Sequence, residues 1–167
     1  MPAECNLQLM DTAQKTASEL MHTLKTRSVT LALSESCTAG LVSALLAEIP
    51  GASSVLWGSF VCYTIEAKAA MLGLDRDKLL ADGLVSRETA SSMAIAALEK
   101  SGADIAAAVT GLAGPHGDGS NVPVGTVWVA AAQAKSITVK EFHLTGSRND
   151  VRLQAAIAVL ETIKSLI

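Results

Sequence analysis

Apolar residues along this chain recur in two rhythms. Met10, Ala13, Ala17, Leu20, Met21 and Leu24 share one face at three- and four-residue spacing, which predicts an amphipathic helix. Residues 28–33 then read as a strand, which the polar run Ser34-Glu35-Ser36-Cys37-Thr38 interrupts. A helix over 39–49 follows and stops at Pro50-Gly51. Residues 56–63 form a second strand, 65–72 a short helix closed by Gly73, and 77–81 another that ends at Gly83. Ser86 is suited to cap the next helix, whose face carries Ala90, Met93, Ala94, Ala97 and Leu98 and whose C-terminal glycine is Gly102. Residues 105–110 are continuously apolar, as in a strand buried on both faces. After a glycine-rich loop over 111–123, strands over 124–131 and 137–144 sit close enough in sequence to pair antiparallel. A helix over 150–167, striped by Leu153, Ile157, Leu160 and Ile163, closes the chain.

The early strand–helix–strand order implies crossover units, and the late strand pair adds antiparallel pairing. Together they predict a three-layer α/β/α fold around a mixed, mostly parallel sheet of about five strands. Ligands bind such sheets at loops beyond strand ends, which singles out 34–38 and 111–123. Composition agrees. The 167 residues suit one domain over 1–167, and half of them are hydrophobic against 17% charged, which excludes disorder. With 28 alanines and only 3% aromatics, alanine-rich helices packed closely on a sheet fit better than an all-β sandwich.

Charge narrows the partners. Lys+Arg 13 against Asp+Glu 16 gives a net −3 with no basic stripe, so no nucleic-acid partner is expected. Cys5, Cys37 and Cys62 show no Cys-x-x-Cys spacing, which points to a reducing compartment. The chain start lacks a basic, apolar leader, and the apolar runs are strand-length, so a cytoplasmic protein without a membrane partner is expected. No His-x-His, His-Glu-x-x-His or paired-cysteine motif predicts a metal.

Candidate chemistry concentrates at the two loops. Ser34, Ser36 and Thr38 lie at a helix start, where unpaired N–H groups and the helix dipole favour negative charge. A hydroxyl there either caps the helix or serves as a nucleophile beside oxyanion donors. Cys37 is a rival nucleophile, because a helix N-terminus lowers a thiol pKa; it is otherwise a small buried residue. A serine needs a base. His22, His116 and His143 are candidates, and so is Lys68 if burial depresses its pKa. Tyr63, the single tyrosine, either relays a proton, contacts substrate or packs at a strand end. The loop from Thr110 to Gly119 is glycine-rich but has neither P-loop nor dinucleotide spacing. Arg148 and Arg152 open the last helix, where the dipole disfavours cations, which hints at an anionic partner.

Several separate motifs agree in order and spacing with one family. Glu35-Ser36-Cys37-Thr38-Ala39-Gly40, Gly58 to Tyr63 with Glu66-Ala67-Lys68, Thr110 to Pro115, Pro123 to Val127, and Arg148 with Arg152 resemble the C-terminal domain of the CinA competence/damage-inducible proteins. The resemblance runs from about Leu9 to the end. Its stand-alone members are nicotinamide mononucleotide (NMN) amidohydrolases, which form nicotinate mononucleotide and ammonia in pyridine-nucleotide salvage. The resemblance implies Ser36 as nucleophile, with Lys68 and Tyr63 as its catalytic partners. It implies Glu35, Cys37, Thr38, Thr110, Gly111, Gly114 and Arg148 as substrate-binding residues. It implies no metal or cofactor, and a homo-oligomer of two or more copies. A non-catalytic mononucleotide-binding module and a competence- or damage-associated interaction protein are the alternatives. The family's usual second glycine is Ala39 here, its asparagine is Ile65 and its aspartate is His116, which bears on pocket shape and substrate preference. The N-terminal nucleotide-hydrolysing domain of larger members has no room in 167 residues.

Overall fold

The computed structural model describes the backbone from Pro2 and the side chains from Asn6 to Ile167. Cys5 and the chain start, read above for redox state and a leader, lie outside the described side chains. The elements in order are α1 (Pro2–Arg27), β1 (Leu31–Glu35), α2 (Leu41–Ala47), a 3-10 turn (Ala52–Ser54), β2 (Leu56–Val61), α3 (Ile65–Leu72), α4 (Arg76–Asp82), α5 (Arg87–Ser101), β3 (Ile105–Gly111), β4 (Thr126–Gln133), β5 (Ser136–His143) and α6 (Arg148–Lys164). The sheet order is β2-β1-β3-β4-β5. β1 pairs parallel with both β2 and β3, while β4 runs antiparallel to β3 and β5. Four of the five strands therefore point one way, with β4 reversed.

Strand alternation sorts the sheet's side chains by size. One face presents Leu31, Leu33, Ile105, Val109, Val127 and Val129 to a layer built from α1, α2 and α6. The other presents Ala32, Ala106, Ala108, Ala130 and Ala132 to α5, whose buried face is Ala90, Met93, Ala94 and Ala97. Small side chains on both partners let that helix lie close on the sheet, which is where the alanine excess goes. The layers are those the pattern predicts.

Of the boundaries that differ from the pattern, four have a plain local reason. β1 runs on through Ser34 and Glu35, both buried, because β2 and β3 pair with it on either side. α2 begins only at Leu41, since Ala39 and Gly40 hold left-handed φ of 52° and 90°. β4 begins at Thr126: Gly125 before it sits at φ 92°, where a Cβ would run into the Leu144 carbonyl oxygen. α6 begins at Arg148 because Ser147 and Asp150 form a reciprocal capping box. The outcome that matters for chemistry is convergence. β1, β2 and β3 run parallel, so their C-terminal ends, and the segments that follow them, meet at one edge of the sheet.

Candidate active site

Ser36 immediately follows β1, and its N–H donates to the Val109 carbonyl of β3 at 3.0 Å, so the sheet itself holds its backbone. Its side chain lines a cavity of about 220 Å³. On the neighbouring strand the Cys62 N–H donates to the Glu35 carbonyl at 2.7 Å. The chain then turns, and Thr64 caps α3 by accepting from the Ala67 N–H. This short connection puts Lys68 one turn into α3, facing back into the protein and only 2% exposed. Its Nζ lies 2.9 Å from Ser36 Oγ and 3.0 Å from the Cys62 carbonyl oxygen. Among the described residues no carboxylate pairs with it. Burial without a counter-ion disfavours the ammonium form and holds the Lys68 pKa below the usual lysine value.

Of the candidate bases, only Lys68 is beside Ser36 on the cavity wall among the described residues. His22 and His116 are exposed, His143 lies on edge strand β5 beside Glu141, and none of the three lines the cavity. The geometry also separates the two candidate nucleophiles. Cys37 lines the cavity, but burial pushes its thiol pKa up to about 12, so the thiol is protonated at neutral pH. The expectation that a helix N-terminus would lower it fails because burial outweighs it, and another group occupies that terminus.

The occupant is Glu35, which does not line the cavity and is 1% exposed. Its Oε2 accepts from Thr38 Oγ1, Gly40 N–H and Val42 N–H at 2.8, 3.0 and 3.1 Å. Its Oε1 accepts from Ser43 N–H at 2.9 Å and Ser59 Oγ at 3.2 Å. Five donors from the turn, α2 and β2 thus converge on one carboxylate and hold it away from the cavity wall. Glu35 is a cap that fastens the turn carrying Ser36. Thr38 is likewise fully buried, with its hydroxyl on Glu35 and its carbonyl accepting from Arg152 at 2.9 Å. Glu35→Ala would orphan several buried donors. It is expected to cost about 3 kcal/mol or more in denaturant unfolding. A loss under about 1 kcal/mol would show that the turn holds itself.

The rest of the wall comes from three other segments. Thr110 Oγ1 donates to the Leu84 carbonyl at 2.7 Å, which fastens Leu84 and Val85 as an apolar side of the cavity. Gly111, Leu112, Ala113 and Asp118 supply the loop side. Gly111 has no room for a side chain, since a Cβ would approach Val127 and the Thr126 carbonyl within 3 Å. Gly114 lies just behind the wall, and its carbonyl accepts from Arg148 Nη1 at 2.6 Å. Arg148 Nη2 donates to the Tyr63 hydroxyl, also at 2.6 Å, so both side chains frame the opening. Tyr63 is half-exposed and has no hydrogen bond to Ser36 or Lys68 among the described residues. Arg152 braces the back of the Ser36 turn and lies outside this cavity.

A family model for the CinA C-terminal domain matches residues 13–167. The chain belongs to this family. It is 40% identical over 136 residues to a CinA-like protein of Geobacter metallireducens, covering 81% of this chain and 33% of that protein. It therefore spans about a third of that relative's length. With the Escherichia coli K12 protein named nicotinamide-nucleotide amidohydrolase PncC it shares 41% identity over 157 residues, 89% of this chain and 94% of the other. The solved structure of competence/damage inducible protein CihA from Agrobacterium tumefaciens superposes with a TM-score of 0.89 at 36% identity, covering 93% and 95% of the two chains.

Within this CinA domain the three departures from the family pattern all lie off the cavity wall. Ala39 is exposed in the left-handed region, so its methyl points away from the cavity and does not narrow it; the cost is backbone strain of about 1 kcal/mol. Ile65 opens α3 outside the cavity, and His116 sits exposed on the loop two residues before the lining Asp118. Sequence reasoning missed Leu84, Val85 and Asp118. The first two carry no chemical signature, and the Thr110 bond to the Leu84 carbonyl ties their segment to the site. Asp118 was visible as a lone acid among glycines, but nothing in the spacing says which way such a loop turns. Among the described residues no cluster of three or more His, Cys, Asp or Glu side chains is arranged to hold a metal ion, and no helix is long and apolar enough to cross a membrane.

Proposed function

We propose that this CinA domain hydrolyses the carboxamide of nicotinamide mononucleotide to nicotinate mononucleotide and ammonia, with Ser36 as nucleophile and Lys68 as base. The observation that carries this reading is the buried Lys68 Nζ, 2.9 Å from Ser36 Oγ on a cavity wall. As a neutral amine, Lys68 donates one N–H to the Cys62 carbonyl and keeps its lone pair for the Ser36 hydroxyl proton. Ser36 Oγ attacks the carboxamide carbon while that proton passes to Lys68. The amide of Cys37, a residue on the cavity wall, donates to no backbone acceptor among the described residues, and it is the donor available to the oxyanion. Collapse of the tetrahedral intermediate breaks the C–N bond, and Lys68 returns the proton to the leaving amine as ammonia. Water then attacks the ester and gives its proton to Lys68; as the acyl C–Oγ bond breaks, Lys68 returns that proton to Ser36 Oγ, and nicotinate mononucleotide leaves. No step calls on a metal or an organic cofactor.

Arg148 spends two of its five N–H groups on Gly114 and Tyr63, and the remainder are available to the phosphate. Tyr63 then acts through substrate contact at the opening. Tyr63→Phe is expected to raise KM several-fold with kcat nearly unchanged. A large fall in kcat at constant KM would instead put its hydroxyl in the proton path. The test of the whole reading is ammonia release from NMN by the wild-type protein, with nicotinate mononucleotide identified as the co-product. A folded protein that binds NMN and releases no ammonia is a binding module.

A further inference from the structure

The cavity has three ionisable side chains on its wall: Lys68, Arg148 and Asp118. Their roles separate cleanly. Lys68 serves Ser36, and burial disfavours its charge. Arg148 is a permanent cation anchored at the opening. Asp118 is the one carboxylate among the described lining residues, since Glu35 is turned away into α2. Asp118 Oδ1 accepts from the Ser120 N–H at 3.0 Å and the Ser120 hydroxyl at 2.6 Å, while Oδ2 forms no hydrogen bond among the described residues. The Ser120 hydroxyl bond also holds the Asp118 pKa below the usual carboxylate value, so the group is an anion at neutral pH.

The substrate proposed above carries charge of both signs. Its phosphate is an anion. Its nicotinamide ring is joined to ribose through the ring nitrogen and is therefore a pyridinium cation. The reacting carboxamide is attached to that same ring, so the cation must enter the cavity whenever the carboxamide reaches Ser36. Arg148 would repel it, and its desolvation needs an anion nearby. The loop that supplies Asp118 also supplies the Gly114 carbonyl that anchors Arg148, so one segment sets both signs of charge.

We propose that Asp118 is a specificity-determining residue that recognises the positive charge of the pyridinium ring and favours N-alkylated pyridinium carboxamides over uncharged ones. The proposal rests on the amidohydrolase reading. The probe is reduced NMN, whose dihydropyridine ring keeps the carboxamide, ribose and phosphate but has no ring charge. Dissociation constants for NMN and reduced NMN are measured by calorimetry on Ser36→Ala and on Ser36→Ala/Asp118→Asn, where turnover does not interfere. Asp118→Asn is expected to weaken NMN about three- to fivefold, the range of a solvent-accessible ion pair, and to leave reduced NMN unchanged. Equal weakening of both ligands overturns the proposal in favour of a ribose contact. No change in either, or no binding of either, also overturns it. Ammonia release by the wild type, run alongside, tests the amidohydrolase reading separately.

Discussion

Ser36→Ala is expected to lower ammonia release from NMN by about 10⁴-fold or more while leaving the fold and NMN binding intact. Ser36 Oγ accepts nothing that holds the architecture together. Its backbone is fixed by the N–H bond to Val109, and the turn around it by the Glu35 carboxylate, both of which survive the substitution. A variant that folds, binds and fails to turn over isolates the nucleophile. Retained activity would send the search to Cys37, whose thiol at a pKa of about 12 is a poor candidate at neutral pH. Cys37→Ala is the paired control and is expected to remain active.

Lys68→Met is expected to lower kcat about a thousandfold, and Lys68→Arg to fail equally, because a guanidinium cannot give up its proton to become a base. The pH dependence follows from burial. In the proposed mechanism Lys68 works as the neutral amine, and its pKa in the folded protein lies below the usual lysine value. The active fraction therefore rises with pH through that lowered pKa, so kcat/KM has a rising limb and reaches its plateau at a lower pH than a solvated lysine would allow. A limb at the ordinary lysine value would remove Lys68 from the role. Stability moves in the same direction. With the folded pKa below the unfolded one, the folded state binds fewer protons between the two values, so stability rises with pH there. Below the folded pKa the penalty of burying an ammonium is present in full. Lys68→Met lifts that penalty, and its melting temperature at neutral pH is expected at or above that of wild type. Lost activity with undiminished stability is what distinguishes a functional lysine from a packing one.

Much of this arrangement was legible before any coordinates. Helix and strand positions are written in local periodicity, because a buried face must repeat with the period of the backbone that presents it. The cap Ser86 and the terminal Gly102 of α5 fall where the pattern puts them. The boundaries that shifted did so where tertiary context overrides local preference. Ser34 and Glu35 look like the end of a strand, but pairing on both sides draws them into β1. Ala39 looks like the start of a helix, yet the turn holds it left-handed. The family motifs marked Ser36, Tyr63 and Lys68 as a set, and the structure sorts them by distance: Lys68 is on Ser36, while Tyr63 is on Arg148.

By itself, then, the amino-acid sequence determined the order of elements, the three layers, the alanine-bearing face of α5 and the two segments where chemistry gathers. These depend on residues close together in the chain and on the alternation of buried and exposed positions. Only the tertiary structure decided which groups meet. Lys68 and Ser36 are 32 residues apart, and they touch because β1 and β2 pair in parallel and α3 turns back over their ends. The same folding strips water from Lys68 and lowers its pKa, encloses Glu35 among five donors and removes it from the cavity, and swings Asp118 onto the wall. Desolvation and the direction of a side chain are properties of the assembled surroundings, and no local pattern encodes them.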